Sequence, residues 1–501
     1  MDRLDPHAGP RDGNRLLGTR YSRLANNTID YWMLPPEEGL TSDNVLSALE
    51  RAEVHDDASL QLYVHVPFCA QHCTFCAFSG ANSLSFRQAD RYATLLAWQI
   101  RDMMRRPRVY GKPIRSVHIG GGSPDLLRRH AGRVLDAIRE LPGVGDHTEI
   151  SVEFTLSTVR DEFLDELERA GVTKISFGIQ TLDPELRVHM RQPRTLEHLE
   201  PVLRRVEGRF PLVNADLITC LPGQTLQGAE EDLRVLMSEK RINAISTYLL
   251  TPGASPAMTG GLLSGSLPPQ APPQEQALMR LNSYSILLRE GWIRRGTNTY
   301  VNPDRMTPEE IDRTSGNECI GTSHYEAFLI GAGASAVSSV PGLRIEQTSA
   351  LGAWCSAVEK GEYPLHLPAC STRDQRDTAL WVFPLRYEGL PFDRYERMVA
   401  EGAITSAQVA AFDQRIREGF ITQGSSGYEL TLLGEVFMGQ LVRDFKSPDG
   451  RAAIDRYIEE GHELGAEVAR GALRVRNELN NRQLAEEHLS QAHEVEEEEA
   501  R

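Results

Sequence analysis

No run in the 501-residue chain approaches the roughly 18 uninterrupted apolar residues of a spanning helix, so none is expected. The opening MDRLDPHAGPRDGNRLLG lacks the apolar stretch of a secretory signal, so no signal peptide is expected either. Cysteine is scarce: there are 7, an odd number, and three of them fall within eight residues. The others, Cys220, Cys319, Cys355 and Cys370, are scattered. Such a distribution excludes a disulfide framework and points to a reducing, cytoplasmic setting with one thiolate metal site. Lys and Arg total 54, only 5 of them Lys, against 70 Asp and Glu, a net charge of −16. That balance argues against bulk nucleic-acid binding and against anionic membranes.

What is present is ordinary globular composition, with 40% apolar and 25% charged residues. At roughly 100–200 residues per domain, the length allows two to four domains. From residue 61 short β-branched or aromatic runs alternate with helical patterns. The expected strands are 61–66, 114–119, 149–154, 174–179, 212–218 and 244–250. Helical patterns lie near 86–106, 124–140, 161–170, 195–207 and 226–239. In the third of these, Leu164, Leu167 and Ala170 keep helical spacing and Gly171 supplies the stop. Serial β–α units imply a parallel sheet, because parallel neighbours need crossovers. The expected fold class is therefore α/β, a partial open (β/α)6 barrel with reactive groups at the C-terminal strand ends.

Around this barrel, assigned to 61–260, the chain divides further. Residues 1–60 read as an N-terminal arm, with a short helix at 40–55. The Pro/Gly/Ser-rich stretch 251–275 reads as a loop or junction, leading into a substrate-side extension over 261–375 with a helix near 276–290. Helices near 391–401 and 405–418, followed by a hairpin-like GFITQGSSGYELT, outline a winged-helix-like module within 376–447. An acidic helical tail fills 448–501.

Cys69-Ala70-Gln71-His72-Cys73-Thr74-Phe75-Cys76 carries the chemistry, in the loop directly after the first strand. Four cysteines would close a [4Fe–4S] cube; three leave one iron open to chelate a small molecule. Phe68 and Phe75 are placed to shield such a cluster. The alternatives are a set of buried thiols, or a structural zinc site with His65 or His72 as fourth ligand.

Tyr63-Val64-His65-Val66-Pro67-Phe68-Cys69 together with this cluster resembles the radical S-adenosylmethionine (SAM) superfamily. Within it, the chain is similar to the branch of oxygen-independent coproporphyrinogen III dehydrogenase. The resemblance implies a [4Fe–4S] cluster on Cys69, Cys73 and Cys76. It also implies SAM cleavage to methionine and a 5′-deoxyadenosyl radical, and an electron donor such as flavodoxin or ferredoxin. Gly120, Gly121, Gly122 and Ser123 correspond to the family's glycine motif. Glu153, Gln180 and Asp216, each closing a strand, match positions that contact SAM; Tyr63 and Phe75 join this cofactor-binding set. Arg191 stands where the family places an Arg for the SAM carboxylate, although the local pattern is Met-Arg-Gln; Arg187 is the fallback. Phe328-Leu329-Ile330-Gly331-Ala332-Gly333-Ala334-Ser335 resembles a glycine-rich segment near the substrate side.

Two departures bear on the branch. Phe78 stands where the porphyrinogen enzyme has a fourth Cys, and Gly321-Thr322-Ser323-His324-Tyr325-Glu326 replaces the His-Asn-x-x-Tyr-Trp motif of haem-trafficking relatives. The expected function is therefore that of the class C methylases and cyclopropanases. These use two SAM molecules to transfer carbon to an sp² centre of a small-molecule, natural-product substrate. The alternative is a coproporphyrinogen oxidase-like tetrapyrrole enzyme or a haem chaperone. A DNA-binding zinc protein is a further competitor. Tyr248, Tyr325 and Trp354 are candidate substrate-lining residues, and Cys220 and Tyr325 are the catalytic candidates.

Overall fold

The computed structural model describes residues 60–76, 85–106, 111–192, 195–250, 255–296, 298–314, 328–340, 343–370, 378, 380–382, 384–385, 389–446 and 451–452. Residues 1–59 of the expected arm, most of the acidic tail, and Phe78, Cys319, His324 and Tyr325 lie outside them.

Six parallel strands follow one another in chain order: β1 (Leu60–Val66), β2 (Ile114–Gly121), β3 (Glu149–Phe154), β4 (Lys174–Gln180), β5 (Leu212–Thr219) and β6 (Ala244–Leu249). Their ends fall within two residues of the expected ones. Leu62, Val64 and Val66 of β1, Val117 and Ile119 of β2, and Ile175, Phe177 and Ile179 of β4 are buried in the core beneath the helices. The helix Phe86–Met104 buries Tyr92, Ala93, Leu96 and Ile100 there. It starts at Ser85, whose hydroxyl accepts from Gln88 N–H while the Gln88 side chain reaches back, satisfying two donors of the first turn. After Asp161–Arg169, Gly171 takes φ +67°, the left-handed region that glycine enters without a Cβ penalty. Val172 N–H then closes on Leu167 C=O at 3.0 Å.

The sheet extends beyond these units. Strands β7 (Ile293–Arg295) and β8 (Thr299–Val301) continue it antiparallel past β6. On the other side β9 (Phe328–Ala332) pairs parallel with β1, followed by β10 (Val337–Val340), β11 (Leu343–Gln347) and β12 (Leu365–Cys370). Among the described residues the twelve-stranded sheet runs from β12 to β7 without pairing its ends, so it is open. The glycine-rich segment at 328–335 thus begins as a strand. A Cβ on Gly333 would lie 2.4 Å from His65 C=O, so only glycine lets this segment approach β1 so closely.

Two local expectations need correction. The 251–275 stretch contains a helix, Pro256–Ser264, begun by Ser255 capping Met258 N–H and ended at left-handed Gly265. The helix expected over 124–140 is a 3-10 segment, Pro124–His130, and an α-helix, Ala131–Arg139; Arg128 at φ 53° breaks the run. Near the C-terminus, Phe392–Ala400 and Ser406–Arg417 precede a ribbon of β14 (Ile421–Gln423) and β15 (Gly427–Leu430), joined by β13 (Leu390–Pro391). These elements alone do not confirm a winged helix.

Candidate radical-generating site

Strands of a parallel sheet covered on both faces read as continuous apolar runs. Here polar residues recur at alternate positions, and they share the face opposite the helices. Gln61, His65, Ser116, His118, Glu149, Ser151, Lys174, Ser176, Asn214, Ser246 and Thr299 are all buried. Burial of so many polar groups is tolerable because they bond one another. Tyr63 hydroxyl and His65 Nδ1 are 2.7 Å apart, and His118 Nδ1 lies 2.8 Å from Ser151 Oγ. Ser176 Oγ donates to Asp216 at 2.7 Å; Asn214 Nδ2 donates to Ser176 and to Asp216, each at 2.8 Å. Ser246 continues the chain to Asn214 and Thr299.

Two carboxylates stand at the mouth of this polar face. Glu153 sits 3.3 Å from His118 Nε2. Burial pushes its pKa up, but His118, Lys174 and the Gly121 N–H outweigh that and hold it below the usual range. Asp216 is pushed up to about 7 by burial and by Glu153, against the hydroxyl of Ser176, Lys174 and the Asn214 amide. One carboxylate is therefore ionised and its neighbour half-protonated near neutrality.

The cysteine loop leaves the C-terminal end of β1 and is tied down by other segments. Thr74 N–H donates to Met190 C=O at 3.2 Å, and Thr74 Oγ1 donates to His189 C=O at 2.8 Å. Ser255 Oγ donates to Thr74 C=O at 2.6 Å. Phe75 packs on a small apolar cluster of Leu186, Met190, Ile218, Leu221, Leu250, Met258 and Leu267, which Tyr248 also joins. Phe75 thus covers the loop, whereas Phe68 turns into the main core with its ring 4.9 Å from Tyr92, contrary to its expected shielding role. The glycine segment docks beneath the same loop. Gly122 N–H donates to Val66 C=O at 2.9 Å, and Ser123 N–H to Phe68 C=O at 2.6 Å. A Cβ at Gly122 would sit 2.5 Å from Phe68 C=O, and one at Gly120 2.7 Å from the Glu153 carboxylate. Ser123 Oγ bonds Asp125 and Thr155, locking the turn.

Cys69, Cys73 and Cys76 are not joined in disulfides, and each is partly exposed. Burial, with Cys76, Cys73 and Asp125 nearby, pushes Cys69 up to about 12. Burial also raises Cys73, to about 11, although Gln192 and Arg187 oppose it. Among the described residues, no three His, Cys, Asp or Glu side chains are grouped to hold a single metal ion. His65, offered as a fourth zinc ligand, instead meets Tyr63. A set of three thiolates suits a cluster, whose ligand sulfurs sit on different irons. Buried polar atoms without a partner among the described residues gather in the adjoining segment: Arg187 Nε and Nη2, His189 Nδ1 and Gln192 Oε1. Such atoms carry a desolvation cost unless something polar meets them. The residues present therefore fit a [4Fe–4S] cluster with a polar ligand beside it.

Other expected residues fall as follows. Gln180 closes β4 at φ 66°, with its side chain folded over Gly178. Arg191 is exposed, at φ 59°, and its neighbour Gln192 reaches the loop instead, with Nε2 3.1 Å from Cys73 Sγ. Arg187 is buried, donating to Ile179 and Thr181 carbonyls. Gln192 went unnoticed in the sequence because its contact spans 119 positions. Cys220 is buried with its thiol pushed up to about 12 by burial, 3.6 Å from Gln276 C=O. Trp354 is core, donating to Gln347 at 2.8 Å.

Comparison with known proteins agrees with this geometry. Residues 63–236 match the family described as the Radical SAM superfamily. An oxygen-independent coproporphyrinogen III oxidase of Paracoccus denitrificans is 26% identical over 324 residues, covering 62% of this chain and 69% of that protein. The heme chaperone HemW of Escherichia coli K12 is 25% identical over 399 residues, 77% of this chain and 98% of HemW. The solved coproporphyrinogen III oxidase of Escherichia coli shares the fold, with TM-score 0.67 at 21% identity, covering 82% of this chain and 95% of that one. These relatives overturn the class C methylase and cyclopropanase expectation, together with natural-product biosynthesis: the similarity runs to oxidases and haem chaperones. Over residues 63–236 the chain is thus similar to the Radical SAM superfamily, and over most of its length to coproporphyrinogen III oxidases and the heme chaperone HemW.

Proposed function

We propose that this protein is a radical SAM enzyme acting on a tetrapyrrole, in the manner of the oxygen-independent coproporphyrinogen III oxidases. The observation that carries the reading is the three-thiol loop at the end of β1, pinned by Thr74 and Ser255 above a polar, hydrogen-bonded mouth. Cys69, Cys73 and Cys76 would hold the cluster, which when bound and reduced supplies one-electron cleavage of SAM. The glycine segment 120–122 brings bare backbone to the mouth, where a side chain would collide with Glu153 or His65. Glu153, ionised, suits the ammonium group of SAM, and Asp216 and Gln180 suit its hydroxyls. Phe75 and its apolar cluster cover one side of the loop, which limits water there.

A second reading, haem trafficking, is favoured by one observation: the chain matches HemW over 98% of the latter's length. One experiment separates the two. Cluster-loaded protein is incubated anaerobically with reductant, SAM and coproporphyrinogen III. The enzyme reading expects 5′-deoxyadenosine together with a decarboxylated porphyrinogen, and no S-adenosylhomocysteine. Haem binding at stoichiometric concentration, without turnover of the porphyrinogen, would instead establish the chaperone.

A further inference from the structure

We propose that Gln192 is a positioning residue of the cluster, donating its carboxamide N–H to the Cys73 sulfur and thereby raising the cluster's reduction potential, with Arg187 acting beside it. The inference rests on the [4Fe–4S] reading above. Gln192 Nε2 lies 3.1 Å from Cys73 Sγ, within hydrogen-bonding range for sulfur. An iron-bound sulfur has no proton to give, so the NH2 end of the amide, not its oxygen, must face it. The segment is held for this purpose. The helix Pro184–His189 is capped by Asp183 and ends where His189 and Met190 carbonyls grip Thr74, the residue after Cys73. Gln192 N–H donates to Arg187 C=O at 2.8 Å, which fixes the turn that aims the amide.

Arg187 adds a charge to this dipole. Arg187 is 1% exposed, and its guanidinium spends one nitrogen on the Ile179 and Thr181 carbonyls. Nε and Nη2 have no partner among the described residues. A buried cation with two idle donors beside a thiolate ligand favours extra negative charge there. Hydrogen bonds to sulfur and local charge are the levers by which a protein sets an iron–sulfur potential. Reduction adds one electron to the cluster, so both groups stabilise the reduced state more than the oxidised one.

The test uses full-length protein reconstituted anaerobically, as wild type, Gln192→Leu and Gln192→Glu. Iron and sulfide content is measured first; wild type that takes up neither refutes the cluster reading itself. The reduced fraction is then followed by electron paramagnetic resonance across a redox titration without SAM. Gln192→Leu should lower the reduced-to-oxidised ratio at fixed potential by about fivefold to tenfold, or about 40–60 mV for one electron. Gln192→Glu, which places a carboxylate at the sulfur, should lower it further. Two loaded variants that titrate with wild type overturn the proposal. Failure of both variants to load overturns it too, since the residue would then serve assembly and not potential.

Discussion

Asp216 offers the sharpest test of the polar mouth. Its carboxyl, ordinarily titrating near 3.8, is raised to about 7. Between those values the folded protein keeps a proton that the unfolded chain has lost. Stability therefore falls as pH rises through this window and is level above it. Three pH units at about 1.36 kcal/mol each set a ceiling of about 4 kcal/mol. Asp216 is only partly buried, so solvent screening reduces this to about 2 kcal/mol. Asp216→Asn cannot ionise, but it loses one of the two oxygens that accept from Ser176 and Asn214. That loss is a constant offset of about 1 kcal/mol. Urea denaturation of both proteins at pH 5, 6, 7 and 8 reads the difference. The Asp216→Asn variant should be the less stable form at pH 5 and should gain about 1.3 kcal/mol on wild type by pH 8, because two of the three units lie between pH 5 and 7. Parallel stability curves across that range would refute the placement of Asp216 beside Glu153.

Gly122→Ala should force the glycine segment off the cysteine loop, since its Cβ would meet the Phe68 and Val66 carbonyls at 2.5 and 2.6 Å. A loss of about 2–4 kcal/mol and reduced iron uptake are expected, measured by denaturation and metal analysis. Trp354→Phe should cost about 1–3 kcal/mol through the lost bond to Gln347 and a small void, while leaving KM unchanged. A raised KM would return Trp354 to the substrate wall.

Much of the barrel was legible because its signals are local. β-branched runs such as Val117 and Ile119 fall at strand spacing, and Gly171 stops its helix where a left-handed residue is needed. The helix Pro256–Ser264 was missed although Ser255 and Pro256 are proper start signals; the glycines and prolines around it masked them. Strand β9 was missed as a strand for a similar reason: Gly331 and Gly333 weaken strand propensity, and only the long-range approach to His65 explains them. The alternation of Tyr63 and His65 with Val64 and Val66 reads only as a strand, so the polar face and its partners come from the fold alone. Cys69, Cys73 and Cys76 stood out by spacing. Gln192 did not, because a glutamine after Arg191 carries no signal until the fold brings it to Cys73. The choice among substrate classes failed where it relied on missing motifs at Phe78 and 321–326, since absence of one relative's residues does not identify another.

The central claim is an iron left without a protein ligand among three cysteines. Electron paramagnetic resonance of the reduced, anaerobically reconstituted protein, with and without SAM, addresses it most directly. The account predicts about four irons per chain, a reduced signal that changes on adding SAM, and loss of both in Cys69→Ala, Cys73→Ala and Cys76→Ala. Zinc in place of iron, or a cluster signal indifferent to SAM and unchanged in Cys73→Ala, would contradict it.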